Sequence, residues 1–194
     1  TSNGSVTVAA SNGKEITTHD GSVVKNDNVT STYAKSAGGG LVDVKGADTR
    51  STVEVDVRVV VGDNVTIKAG KNLSITSLSA GNATAESAQA GGGAVAVGAG
   101  EADVDISNTN KASVGISADF TAGENFTLLA TTFNFSRAEA DSAGGGAVAD
   151  GDADAHIKLA YDTRTIVGVN SKINAANKLT LQAQTKTDTD ADAE

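Results

Sequence analysis

Two histidines and two groups of carboxylates are the side chains of this 194-residue protein with the potential for chemistry. His19 and His156 are 156 − 19 = 137 positions apart, and neither stands in a recognisable nucleophile motif. Cysteine is absent, which excludes a disulfide scaffold, a thiolate nucleophile and a thiolate metal site. We therefore interpret both histidines as surface residues on a strand or loop, and we predict no catalytic and no cofactor-binding residue.

The carboxylates alternate with small residues, as they would on one face of a strand. Asp150, Asp152 and Asp154 form the first group, and they are weak candidates for Ca²⁺ ligands because Ca²⁺ prefers oxygen. An EF-hand loop starting at Asp150 would need Gly and Glu where Ala155 and Tyr161 stand. The interpretation we favour is a solvated outer face that resists aggregation. The second group consists of Asp188, Asp190, Asp192 and Glu194.

Three glycine triplets give the chain its organisation. Gly38, Gly91 and Gly144 begin them, and the spacings are 91 − 38 = 53 and 144 − 91 = 53. A fixed period of this size indicates a repeat architecture of stacked supersecondary units. The same period relates several apolar positions, namely Leu73/Phe126/Leu179, Ile75/Leu128/Leu181, Val61/Val114/Val167 and Val42/Val95/Val148.

The first unit is longer than the others. Val6 to Val65 is 65 − 6 = 59 residues, and Ile16 to Ile75 is also 75 − 16 = 59. We therefore expect six extra residues in a loop that bulges somewhere within 18–32. The predicted repeats of this single segment, 1–194, are 4–62, 63–115, 116–168 and a partial 169–194. The chain begins and ends within a unit, and we expect it to be a piece of a longer protein.

Apolar and polar residues alternate along much of the chain, as in Val65/Ile67, Val95/Val97 and Leu179/Leu181. This alternation is typical of half-buried strands, and we extend it to the alanine-rich segment 83–88 despite its helix propensity. About six short strands fit each unit. The prediction is an all-β, right-handed parallel β-solenoid (β-helix) built from 53-residue repeats, with about two coils per repeat. The glycine triplets either let two faces approach closely or form a corner.

Composition and charge limit the partners. The formal net charge is −9 and Lys and Arg are not clustered, so neither nucleic acid nor an anionic membrane surface is expected as a partner. No apolar run approaches the roughly 18 residues that span a bilayer. Only 3% of residues are aromatic, which suits a narrow core filled by Ala, Val, Ile and Leu.

Three stretches resemble the giant filamentous adhesins of bacteria, of the leukotoxin-type and filamentous-haemagglutinin-like groups. They are 93–99 (GAVAVGA), 108–115 (NTNKASVG) and 120–128 (FTAGENFTL). The similarity covers nearly the whole chain, most clearly 63–183, and the glycine triplets and acidic strands depart from the family pattern. The resemblance implies an extracellular or cell-surface location. The absence of cysteine fits such proteins, since a premature disulfide would block their export.

Three functions remain open at this point. The first is a structural stalk or filament segment of a large cell-surface or secreted adhesin that presents a distal binding region, and this protein would not be an enzyme. The second is a solenoid face that itself binds glycans or host protein. The third is a polysaccharide-acting β-helix enzyme, for which the insertion near His19 and Asp20 is the one irregular place.

Two further expectations concern partners and modification. Open solenoid ends expose strand edges, so we expect further repeats or other copies of the chain to associate end to end. Seven Asn-x-Ser/Thr triplets could accept glycans, although Asn in a turn followed by Thr in a strand produces this triplet without any selection for glycosylation. They begin at Asn3, Asn28, Asn64, Asn72, Asn82, Asn125 and Asn134.

Overall fold

The computed structural model describes residues 1–12 and 29–194, and in these ranges the protein is all-β with no helix. The alanine-rich segment 83–88 lies within a strand, as its alternation predicted. The nine strands are β1 (Val6–Ser11), β2 (Val29–Val61), β3 (Thr66–Ala69), β4 (Leu73–Val114), β5 (Asp119–Ala122), β6 (Asn125–Gly145), β7 (Val148–Val167), β8 (Lys172–Ala175) and β9 (Lys178–Ala193).

Every strand pairing is parallel. β4 lies at the centre of the larger sheet, with β1 and β2 on one side and β6 and β7 on the other, and β9 follows β6. The smaller sheet has the order β3-β5-β8. Leu73 pairs with Phe126 and Phe126 with Leu179, so the partners are 126 − 73 = 53 and 179 − 126 = 53 positions apart.

Two expectations about the strands are wrong. Two coils within 53 residues would pair residues at about half that separation, whereas β2, β6 and β7 pair with β4 at a separation of 53. Six short strands per unit are not found either, because β4 alone has 42 residues. Its ladder with β2 continues from Asn82 to Val114 through the glycine segment, so the bend there does not end the strand.

The alignment of the first unit is also corrected. Val6 pairs with Leu73 and not with a position equivalent to Val65, and this offset is 73 − 6 = 67. Val29 pairs with Asn82 at the offset of 53, so the first unit has 67 − 53 = 14 extra residues between Ser11 and Val29. The alignment from sequence was wrong because two nearby segments look alike. An Asn precedes two alternating apolar residues at both Asn64 and Asn72. The predicted bulging loop falls mostly in 13–28, outside the described residues.

The halves of β4 before and after the glycine triplet 91–93 face each other across a narrow core. Ser77 donates a hydrogen bond to Asn110 and Ser79 donates one to Asn108, across the space between the halves. Aliphatic side chains line much of this core, as the composition predicted, but the two largest buried side chains are the rings of Phe120 and Phe126. One apolar cluster includes Leu73, Ile75, Phe120, Phe126 and Leu128, and the other includes Ala83, Ala85, Ala102, Val104 and Ile106.

The glycine triplets lie where the chain passes from one half to the other, and both roles proposed for them apply. A Cβ at Gly144 would lie 3.1 Å from the Cβ of Ala149, which is tighter than an ordinary contact, so the first glycine of this triplet permits close approach of the two halves. A Cβ at Gly93 would overlap the carbonyl of Gly40 in the paired strand, and one at Gly146 would overlap that of Gly93. The third glycine therefore permits the strands to pair through the bend.

Candidate functional site: an acidic groove on the outer face

The three calcium candidates lie on the outer face of β7. Asp150, Asp152 and Asp154 are all exposed and alternate with Gly151 and Ala153, as expected for a strand. The prediction that they share a face is therefore confirmed. Nothing in the geometry tests whether they bind Ca²⁺, which stays a prediction.

Two of these carboxylates line a shallow groove of about 250 Å³. Its small lining residues come from β2 and β4 and are Gly46, Ala47, Ala99 and Gly100, whereas its acidic lining residues are Asp48, Glu101, Asp152 and Asp154. The ladders place Asp48 beside Glu101 and Glu101 beside Asp154. The groove therefore has a row of three carboxylates running across neighbouring strands, next to residues too small to fill it.

This row has no neutralising partner in the part of the chain that the structure describes. No ion pair there involves Asp48, Glu101, Asp152 or Asp154. Like charges opposite each other on adjacent strands are destabilising. With a net charge of −9 on the whole chain, the groove is suited to cations and repels anions.

Three cationic side chains form a second row across neighbouring strands, and this row does have neutralising partners. Arg58, Lys111 and Arg164 are ladder neighbours, but each contacts a carboxylate. Arg58 binds Asp56 through Nε at 2.7 Å and Nη2 at 2.6 Å, and Lys111 Nζ lies 3.1 Å from Asp162.

These ion pairs shift the pKa values of Asp162 and Arg58. Desolvation acts to raise the pKa of Asp162, but hydrogen bonds and charge from Lys111 and Arg164 outweigh it and hold the pKa below the ordinary 3.8. The stability contributed by this carboxylate is therefore complete above pH 3.8 and is lost as the pH falls through the lower folded-state pKa. The hydrogen bond to Asp56 and its charge likewise raise the pKa of Arg58.

His156 is exposed on β7 and is the ladder partner of Asp103 on β4. The interpretation as a surface histidine on a strand is confirmed for this residue, but its neighbours are acidic. His19 and Asp20 lie outside the described residues. The structure thus brings His156 and the calcium candidates onto one outer face, and it says nothing of the second histidine.

Sequence reasoning missed Asp48, Glu101 and Asp103 as members of this face. The signal was present in the period itself, since 154 − 53 = 101, 101 − 53 = 48 and 156 − 53 = 103. Subtracting the period from each chemically active residue identifies its neighbours in the adjacent strand, because parallel partners in these ladders are 53 positions apart.

The predicted glycan acceptors differ widely in accessibility. Asn3 and Asn64 are exposed, and Asn28 lies outside the described residues. Asn134 is only 4% exposed. Asn125 donates a side-chain hydrogen bond to Asn72 at 2.8 Å and accepts one from Asn177 at 3.0 Å. These amides stabilise the stacking of neighbouring strands, and glycosylation stays a prediction for the exposed sites.

Within the described ranges no helix is long and apolar enough to cross a membrane. Comparison of the chain with family models, with curated proteins and with solved structures finds no match in any of the three. The functional argument therefore rests on the residues and contacts described above.

Proposed function

We propose that this chain is a structural stalk or filament segment of a large bacterial cell-surface or secreted adhesin, and that it presents a distal binding region rather than acting as an enzyme. Its fold in this proposal is a right-handed parallel β-solenoid with one coil per 53 residues. The observation that carries the proposal is the offset of 53 that β2, β6 and β7 all share in their ladders with β4.

Core side chains stack in columns that follow this offset. Ile67, Phe120 and Ile173 form one column across β3, β5 and β8, and Ile75, Leu128 and Leu181 form another. A column of this kind extends when another unit is added, because each unit contacts only the units next to it along the column. The handedness follows the strong preference for right-handed crossovers between parallel strands.

The size of such a coil determines the shape of the stalk. Each coil would advance the axis by only about 4.8 Å, the spacing between hydrogen-bonded strands, while using 53 residues. A rod built this way is wide for its length, and many units would be needed for a long one. It resists bending because every coil is hydrogen-bonded to the next along most of its backbone.

The similarity of the sequence to filamentous adhesins, together with the absence of cysteine, supports a location outside the bacterial cell. Further repeats or other copies of the chain are the proposed end-to-end partners. Nucleic acid and membrane insertion have no part in this proposal, because the charge is −9 and the exposed groove is acidic.

A solenoid face that itself binds host protein or glycans is the second candidate, and the acidic groove favours it. A groove with four carboxylates would select a cationic ligand, such as a basic protein segment or an amino sugar, rather than a neutral glycan. The enzyme alternative rests on His19 and Asp20, which lie outside the described residues.

Binding of the chain to bacterial cells, host cells and a broad glycan panel distinguishes these candidates. A variant with the outward residues of β4 shuffled is the control, since it keeps the inward columns. A stalk segment should show no binding above this control. Saturable, competable binding that the shuffled variant loses would contradict the stalk proposal and would support the adhesive face.

A further inference from the structure

We propose that Glu101, Asp103 and His156 form a binding site for a late first-row divalent metal ion, of which Zn²⁺ is the probe. Each residue offers one ligand atom, and the three atoms lie within 4.8 Å of one another. Ligands of one Zn²⁺ lie about 2.0–2.2 Å from the ion. Small rotations of these outward side chains are enough to bring the three atoms to that distance.

The fold fixes the backbone that carries these ligands. Glu101 and Asp103 alternate on β4 and point outward, while Ala102 and Val104 between and beside them are 0% and 2% exposed in the core. The backbone of His156 is held in the neighbouring strand β7, where it is the ladder partner of Asp103. The three Cβ positions are thus held by buried neighbours and by strand pairing, and only the side-chain rotamers need to adjust.

The charges around the site favour a cation. Asp154 is the ladder partner of Glu101, and Asp48 lies on the other side of it. Among the described residues neither Glu101 nor Asp103 takes part in an ion pair. Arg50 is the one cation beside Asp103 on β2, and its guanidinium contacts Asp105 at 3.5 Å instead.

The ligand types select the metal. An imidazole with two carboxylates suits Zn²⁺ and neighbouring transition metals, whereas Ca²⁺ and Mg²⁺ prefer oxygen ligands alone. This site therefore differs from the Ca²⁺ site suggested for Asp150, Asp152 and Asp154. Three protein ligands leave at least one coordination position open to water.

Calorimetric titration of the whole chain with ZnCl₂ tests the proposal, with CaCl₂ titrated in parallel. We expect one Zn²⁺ per chain, and we expect His156→Ala and Asp103→Asn each to weaken binding at least about tenfold. His19→Ala removes the other histidine, and Asp188→Asn makes the same charge change on an exposed aspartate of β9. Both control variants should stay within about twofold of the parent.

Three results would overturn the proposal. They are the absence of Zn²⁺ binding up to millimolar concentration, an equal loss in Asp188→Asn and Asp103→Asn, and Ca²⁺ binding that exceeds Zn²⁺ binding and ignores His156→Ala. Asp103, His156 and Asp188 point away from the core, and an unchanged circular dichroism spectrum verifies that each variant is folded.

Discussion

Polar side chains occupy the middle of the core, between the two apolar clusters. Asn108, Asn110, Thr132, Ser77 and Ser79 are at most 1% exposed, so water does not satisfy them. Asn110 donates to the carbonyl of Thr131 at 2.6 Å and to that of Ser77 at 3.3 Å, and its carbonyl accepts from the hydroxyl of Ser77. Asn110 therefore links the two halves of β4 to each other and to the neighbouring strand β6.

The substitution Asn110→Ala should therefore cost about 2–4 kcal/mol of unfolding free energy, because it leaves several buried polar groups without partners. Adding Ser77→Ala to this variant should cost little more, since in Asn110→Ala the Ser77 hydroxyl retains only its weak hydrogen bond of 3.4 Å to the carbonyl of Val57. Urea denaturation of the parent, both single variants and the double variant measures the coupling. Additive losses would mean that the two side chains do not interact.

The buried polar residues in the middle of the core were not predicted from the sequence, because the pattern of neighbouring residues does not indicate them. Serine and asparagine at Ser77, Ser79, Asn108 and Asn110 sit at inward positions of the strand, where alternation alone predicts apolar residues. Their burial depends on the opposite half of β4 supplying hydrogen bonds, and that partner is about 30 residues away. A short sequence window does not contain this information.

At the scale of the element, the length of the strands was the least predictable feature. Alternation over 73–114 indicated strands, and the inward and outward positions agree with it. The glycines at 91–93 do not end β4, whose ladder with β2 resumes at Val42 and Val95, whereas at the third triplet β6 ends at Gly145 and β7 begins at Val148. Glycine lacks a Cβ, and paired neighbours can therefore follow the same bend in register.

The glycine triplet offers a matched test of this explanation. Gly93→Ala places a methyl group against the carbonyl of Gly40, so we expect a loss of about 1–3 kcal/mol from overpacking. Gly92→Ala meets only the carbonyl of Gly38 at 3.9 Å, an ordinary contact, and should be neutral or stabilise by up to about 1 kcal/mol. Thermal unfolding of the two variants compares them directly. Equal destabilisation would show that the triplet needs glycine for another reason.

For the whole molecule, the period predicted which residues recur at equivalent positions, but the two coils per period that we expected would have paired residues about half of 53 positions apart. A spacing of 53 is compatible with one coil or two, because both repeat the same residues at the same interval. Only the pairing of Leu73 with Phe126 distinguishes them. The 14 extra residues were miscounted for a related reason, since two similar Asn-containing turns compete for the same alignment.

Strands β7 and β9 form one outer boundary of the larger sheet and expose residues that are buried elsewhere in their columns. Leu179 and Leu181 are 51% and 48% exposed, whereas their ladder partners Phe126 and Leu128 are 0% exposed. The apolar residues that alternate along β9 therefore form a packing surface beside an unpaired strand edge. Such an edge invites pairing with another chain.

We expect this edge to make the chain associate in a concentration-dependent way, and we expect Leu181→Lys to reduce the association, because a charge in the apolar column is costly to bury. Gln182→Lys makes the same change in charge on the adjacent outward residue, and it should leave association within about twofold of the parent. Sedimentation velocity over a hundredfold range of concentration measures the effect. If both variants weakened association equally, net charge rather than the apolar column would control it. If the parent stayed monomeric throughout, the edge would not be an interface between copies, and the stalk proposal would then need continuation of the same chain to cover it.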